Sequence, residues 1–257
     1  MSRFGNLEFN GQHAAETRQS ETLSDEARCL READVLFRRG DFEQALRQFA
    51  RAMECNPSNP ACWVGQVRML VELDEVEEAN QWADKALDRF PRDPEVLAAK
   101  AVALARRGDS RAALAFSDAA IEEHNQNPYV WLSRGDVLLA RAEKRAEYCF
   151  AKALGAAAGD WLWAWLAARV HYVHHKFSLA LKLATQALAL DSSQAVVWYQ
   201  IGRCQLALGL EAAADESFRQ GRELDPQCPE ADRVRHHDLP GSTWRRWHER
   251  WKTWFRS

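Results

Sequence analysis

Three histidines within five residues, His171, His174 and His175, form the densest group of metal-capable side chains in the sequence. His171 and His175 are four apart, so on a helix their rings share one face and could form an edge of a metal site. A metal centre or an acid–base pair needs a further ligand or a carboxylate, and no acidic residue stands nearby in the sequence. A histidine cluster near a helix C-terminus is also favoured by the helix dipole alone. The six cysteines (Cys29, Cys55, Cys62, Cys149, Cys204, Cys228) contain no C-x-x-C pair. Zinc and redox motifs need such pairs, so these thiols read as small buried side chains in a reducing compartment. Phosphate-binding glycine loops, zinc-protease helices and nucleophile elbows are absent as sequence patterns. The residues therefore point away from catalysis: no catalytic residue, metal or cofactor is assigned.

What positions the side chains is a repeat. Pro60, Pro94 and Pro128 lie 34 residues apart, each followed at the same distance by a large apolar residue (Trp63, Leu97, Trp131). Ala45, Ala79 and Ala113 recur in that register, as do Ala52, Ala86 and Ala120. Self-similarity at this period is the mark of stacked helical hairpins. Within the first unit Gly40-Asp41 ends one helix, and Phe42, Ala45, Phe49 and Ala52 mark the apolar face of the next. The fourth unit has an inter-helix loop one residue short, and the fifth opens on Trp161-Leu162-Trp163-Ala164-Trp165.

These residues resemble the tetratricopeptide repeat family: a large residue, Leu-Gly or a substitute and a second large residue on helix A, then Ala, an aromatic and Ala on helix B, closed by Pro. The resemblance spans about residues 26–228 and implies an all-α, right-handed superhelical solenoid of six helix-turn-helix units. The unit boundaries are 26–59, 60–93, 94–127, 128–160, 161–194 and 195–228. Gly135, Gly202, Ala33 and Ala101 are small where helices A and B must approach closely. Residues 1–25 read as a flexible polar arm and 229–257 as a polar cap followed by a basic tail helix.

In this family helix A lines a concave groove. Carried over, the groove positions include Val64, Arg68, Tyr129, Leu132, Asp136, Tyr199 and Arg203, with Trp161 and Trp165 from the fifth unit. The stripe is apolar and aromatic where a solvated wall would be charged, so it implies capture of a protein segment, an amphipathic helix or an extended peptide. Trp161, Trp165, Tyr199, Leu132 and Tyr129 would anchor the segment, and Arg68 and Arg203 would orient it. The places that in some members clamp a partner's terminal carboxylate hold Leu30, Asp34, Gly65, Glu95 and Ala99 here, and cannot do so.

The last sixteen residues carry a second surface. At about 100° per residue, Trp244, Trp247, Trp251, Trp254 and Phe255 share one face and the arginines lie outside it. Such a helix is too short and charged to span a bilayer but fits an anionic membrane surface, a partner, or the chain's own solenoid. The formal net charge of −3 gives no case for nucleic acid as partner. No signal-peptide core or spanning stretch is read in the sequence, which leads to the expectation of a cytoplasmic protein, peripheral at most at the inner face of a membrane. Together these features read as a non-enzymatic scaffold or adaptor that assembles a protein complex, with membrane tethering through the tail as the alternative.

Overall fold

A computed structural model describes residues 24–123, 127–157 and 159–232. The described residues are helical hairpins throughout. The first helix, α1, covers 24–38. It is followed by α2 (Phe42–Cys55), α3 (Pro60–Glu72), α4 (Val76–Arg89), α5 (Pro94–Arg107), α6 (Ser110–Glu123), α7 (Pro128–Ala140) and α8 (Ala146–Ala156). Next come α9 (Trp161–Val173), α10 (Phe177–Leu190), α11 (Ala195–Ala207) and α12 (Glu211–Leu224), and a further helix, α13, starts at residue 229.

The recurring prolines open helices α3, α5 and α7. There the missing N–H costs nothing, because the first-turn N–H groups have no intrahelical partner, and the ring presets the helical φ. The residue before each proline caps the helix: Asn59 accepts from Ala61 N–H, Asp93 from Glu95 and Val96 N–H, and Asn127 from Tyr129 N–H. Asp160 caps α9 in the same way through Leu162 N–H. The alanines of the repeat lie fully buried on the even-numbered helices, among them Ala45, Ala79, Ala113 and Ala180. Without bulk at these points the hairpins close tightly, and Phe150 and Phe218 lie directly over Gly135 and Gly202.

The odd-numbered helices pack on one another in sequence, α3 on α5, α5 on α7, α7 on α9 and α9 on α11, and so form the inner wall. The fourth unit differs from the sequence reading. Its turn is not short: five residues separate α7 from α8, and the missing length comes out of α8, which has 11 residues where its counterparts have 14. No side chain caps α8, and Glu143 holds Arg141 and Arg145 across the turn instead. After α8 the packing is irregular. The contact of α8 with α9 is much thinner than at the four other described junctions between units, and Gly159 there has φ +83°.

That irregular joint turns the C-terminal half back on the N-terminal end, and the superhelix closes. The core divides accordingly. Phe37 and Phe42, from the first hairpin, belong to the same apolar cluster as Trp161, Trp165, Val196 and Cys228. The other end of that hairpin, at Cys29 and Ala52, belongs to the cluster of the second and third units. Gly40 shows how close the approach is. It has φ +79°, and a Cβ there would stand 3.0 Å from Val196 Cγ1 and 3.3 Å from Glu230 Cγ.

Candidate functional site

The side chains expected along an open groove wall lie instead in the seam of the closed superhelix. Trp165 is fully buried, stacked at 6.3 Å on Phe42 and tilted at 6.4 Å against Phe37. Trp161 is its neighbour at 6.0 Å, with the Arg38 guanidinium over its ring. Tyr199 does not face the groove. It stacks on Phe218 of α12 and abuts Gly221, so it joins the two helices of its own unit. Val64 is a core residue of the second and third units. Arg203 lies over Tyr172 and reaches Glu230 of α13 at 3.4 Å. The expectation of a solvent-facing aromatic stripe is therefore corrected: the first hairpin and α13 cover it. The tail face at Trp244, Trp247, Trp251, Trp254 and Phe255 lies outside the described residues.

Charged groups hold the seam. At its rim Arg38 donates to both oxygens of Asp160 (3.1 and 2.8 Å), and Arg39 donates to both oxygens of Asp225 (2.7 and 3.0 Å). Asp160 thus caps α9 and fixes the first hairpin with one carboxylate. The arginines hold both Asp160 and Asp225 below the ordinary carboxylate range. Inside, Arg169 of α9 donates through Nε and Nη2 to Glu72 of α3 (2.8 and 2.6 Å) and through Nη1 to Glu230 (2.9 Å). Its guanidinium also covers Phe42 at 4.7 Å and Trp165 at 5.1 Å. Burial disfavours its charge, but the two carboxylates outweigh that and raise its pKa above the usual arginine value.

A second buried group spans α5, α7 and α9. Arg106 donates to Asp136 Oδ2 (2.7 Å), and His174 Nε2 meets Asp136 Oδ1 (2.7 Å). Burial pushes the Asp136 carboxyl upward, yet Arg106 and His174 prevail and hold it below its ordinary value. No carboxylate stands near the histidines along the chain, but the fold supplies two, Asp136 for His174 and Glu147 for His171. His171 is fully buried, and its second ring nitrogen meets Ala167 O at 2.9 Å, so both of its nitrogens are engaged and the edge with His175 is not available to a metal. Among the described residues no group of three metal-capable side chains converges. The cysteines are unpaired and, apart from Cys55, buried; burial pushes the Cys62 and Cys228 thiols to about 12 and Cys204 to about 11, away from nucleophilic thiolate chemistry.

Between these charge groups the groove narrows to a cavity of about 40 Å³. Arg68, Tyr129, Leu132 and Asp136, four of the expected groove residues, line it together with Glu72, Arg106 and Ser133. The space suits two or three waters and excludes a peptide helix. Arg68 lies between Phe37 (4.8 Å) and Tyr129 (4.3 Å).

With hairpins, capping prolines and small-residue contacts repeating along the chain, the sequence profile of the tetratricopeptide repeat matches residues 30–94 and 166–229. The chain belongs to the tetratricopeptide repeat family. Among curated proteins, tetratricopeptide repeat protein 17 of Homo sapiens is 40% identical over 63 residues, 24% of this chain and 5% of the human protein, and that of Rattus norvegicus matches equally. The chain thus covers only a small fraction of those relatives' length. Among solved structures, the tetratricopeptide repeat protein TTC0263 of Thermus thermophilus is 22% identical with a TM-score of 0.54, over 70% of this chain and 99% of that one. The Cut9–Hcn1 hetero-tetramer of the APC/C aligns at 14% identity and TM-score 0.51, over 81% of this chain and 42% of that one. At these identities the likeness is one of fold. The repeat family is generally one of non-catalytic scaffolds for protein interaction. In this tetratricopeptide repeat chain three of the groove residues that the sequence marks, Arg68, Trp161 and Trp165, are packed against the first helical hairpin of the chain itself.

Proposed function

We propose that this protein is a scaffold that captures a protein segment on the aromatic wall of α9, and that its own first hairpin occupies that wall until a partner replaces it. The observation that carries this reading is the packing of Phe37, Arg38 and Phe42 on Trp161 and Trp165. An amphipathic helix with an adjoining turn already fills the site, as a partner helix would, with aromatic anchors inside and arginine–carboxylate pairs at the rim. Capture then proceeds by exchange. The far end of the hairpin is anchored to the second and third units, through α2 against α3 and through Cys29 and Ala52, so its Phe37–Phe42 end would swing about that joint while the inner wall stays assembled. Of the expected anchors, Trp161 and Trp165 would contact the incoming segment directly. Leu132, Tyr129 and Arg68 lie deeper, and Tyr199 supports the wall from within the sixth unit.

The test uses the hairpin as its own probe. Arg38→Glu with Arg39→Glu places like charges against Asp160 and Asp225 and opens the rim. A fluorescently labelled peptide of residues 24–55 should bind this variant at least tenfold more tightly than the wild type. Equal or undetectable binding to both would remove segment capture on α9.

A second reading rests on the tail sequence, whose tryptophan face and arginines suit an anionic membrane surface. Under it the protein is cytoplasmic and peripheral to a membrane. Phosphatidylserine vesicles should pellet the full chain but not a chain ending at Asp238; co-sedimentation of both, or of neither, would dismiss the tether.

A further inference from the structure

Arg68 is the one groove arginine left without a carboxylate among the described residues. Arg38, Arg39, Arg106, Arg169 and Arg203 each meet an Asp or Glu, whereas the contacts of Arg68 are with the faces of Phe37 and Tyr129. Its natural partner is four residues on: Glu72, one helical turn away on the same face of α3. The closed superhelix takes that partner away, because Glu72 accepts two hydrogen bonds from Arg169 across the groove. Closure therefore creates an uncompensated guanidinium, and it does so on the wall of the 40 Å³ cavity.

The cavity has the other attributes of an anion receptor. Ser133 contributes a buried hydroxyl beside that of Tyr129, and among the described residues no partner at normal hydrogen-bond geometry fixes it. The two lining carboxylates are already paired, Glu72 through Oε2 with Arg169 and Asp136 through both oxygens with Arg106 and His174, so the charge left over is that of Arg68. The aromatic faces on either side fix the guanidinium plane, which reduces the entropy lost on binding and leaves its N–H edge for a planar two-oxygen acceptor. The volume admits a group of three or four heavy atoms.

We propose that this cavity is a receptor for a single carboxylate group, held by the guanidinium of Arg68 with the Ser133 hydroxyl as second donor, and that it exists only in the closed superhelix. The carboxylate can be a free small acid or an Asp or Glu side chain of a protein segment entering the mouth of the cavity. The site is distinct from the clamp positions of the repeat family, which here carry Leu30, Asp34, Gly65, Glu95 and Ala99. It also stands apart from segment capture on α9, which needs the superhelix open; carboxylate binding would hold it shut.

The experiment compares sodium acetate with sodium chloride at equal ionic strength. Wild-type protein should gain several degrees in melting temperature from acetate over chloride, and the gain should disappear in Arg68→Gln. Arg169→Ala should also lose the gain, because Glu72 is then free to pair with Arg68. For the side-chain source, a capped peptide containing Glu should bind the wild type at least tenfold more tightly than its Gln counterpart, with the difference lost in Arg68→Gln. A measurement on wild type alone guards against misfolding of the variants: the Arg68 Nε resonance should shift on addition of acetate and not of chloride. A response to acetate locates the source as a free acid, and a response only to the Glu peptide locates it as a side chain. An unmoved resonance together with equal binding of the Glu and Gln peptides would overturn the proposal.

Discussion

Replacing Arg169 by alanine should open the superhelix. The Arg169 side chain is 11% exposed and Glu230 2%, so these charges are largely removed from water. Deleting one partner of a buried pair typically costs about 3–5 kcal/mol, because the remaining charges stay desolvated without compensation. Two features place this case towards the lower end: Glu72 is 23% exposed, and Glu230 keeps Arg203 at 3.4 Å. Loss of the guanidinium from over Phe42 and Trp165 adds roughly 0.5–2 kcal/mol. A total of about 3–5 kcal/mol corresponds to a fall in melting temperature of roughly 6–20 °C for a chain of this size. The shape of the transition should change as well. A solenoid whose units touch only their neighbours unfolds as a sum of local terms, whereas closure couples the first unit to the fifth and sixth. Circular dichroism at 222 nm should therefore show a lower and broader transition, and small-angle scattering a larger radius of gyration with helicity retained at low temperature. A melting temperature within about 2 °C of wild type and an unchanged radius would refute the assignment of Arg169 as the internal tie.

Two further outcomes follow from the same geometry. Gly40 and Gly108 both have left-handed backbone, but a Cβ meets α11 and α13 at Gly40 and nothing within 4 Å at Gly108. Alanine at either should cost about 1–2 kcal/mol of backbone strain, while only Gly40→Ala should expand the particle in scattering; equal radii for the two variants would contradict the close approach. Acid should also open the seam. Asp136, Asp160 and Asp225 have folded-state values below the ordinary one, so their stabilisation is present in full above about pH 4 and is lost as pH falls through those depressed values. A radius of gyration that is constant from pH 7 to pH 5 and rises below pH 4 is expected, and a transition centred near pH 6 would point to a different group.

Much of the architecture is legible along the chain because a repeat fold is built from contacts between near neighbours. Pro60, Pro94 and Pro128 mark helix starts, Gly40-Asp41 marks a turn, and the buried alanines mark where hairpins close. The candidate site was legible only in part. Arg68 of α3 and Tyr129, Leu132 and Asp136 of α7 line one small cavity, although α5 stands between those two helices along the inner wall. Trp165 and Tyr199 were expected on an exposed wall and are core residues. Truncating both to alanine would open cavities, a loss of about 3–5 kcal/mol for a buried tryptophan alone, so that pair is a probe of folding rather than of binding. The carboxylates of His171 and His174 were missed because they come from Glu147 and Asp136, 24 and 38 residues earlier in the chain.

The sequence by itself determined the hairpin repeat, its turns and the small residues between helices. Each of these is a local choice, set by backbone propensity or by contacts within one or two units. Tertiary structure alone decided that the groove is closed. Arg38 meets Asp160 across 122 positions and Arg39 meets Asp225 across 186, and no periodicity of 34 residues specifies such pairs. They follow from the accumulated curvature of the solenoid and from one thin junction, α8 against α9, where a short helix and Gly159 turn the second half inward. The same closure diverts Glu72 from Arg68, so the charge state of the groove is a property of the superhelix and not of any single repeat.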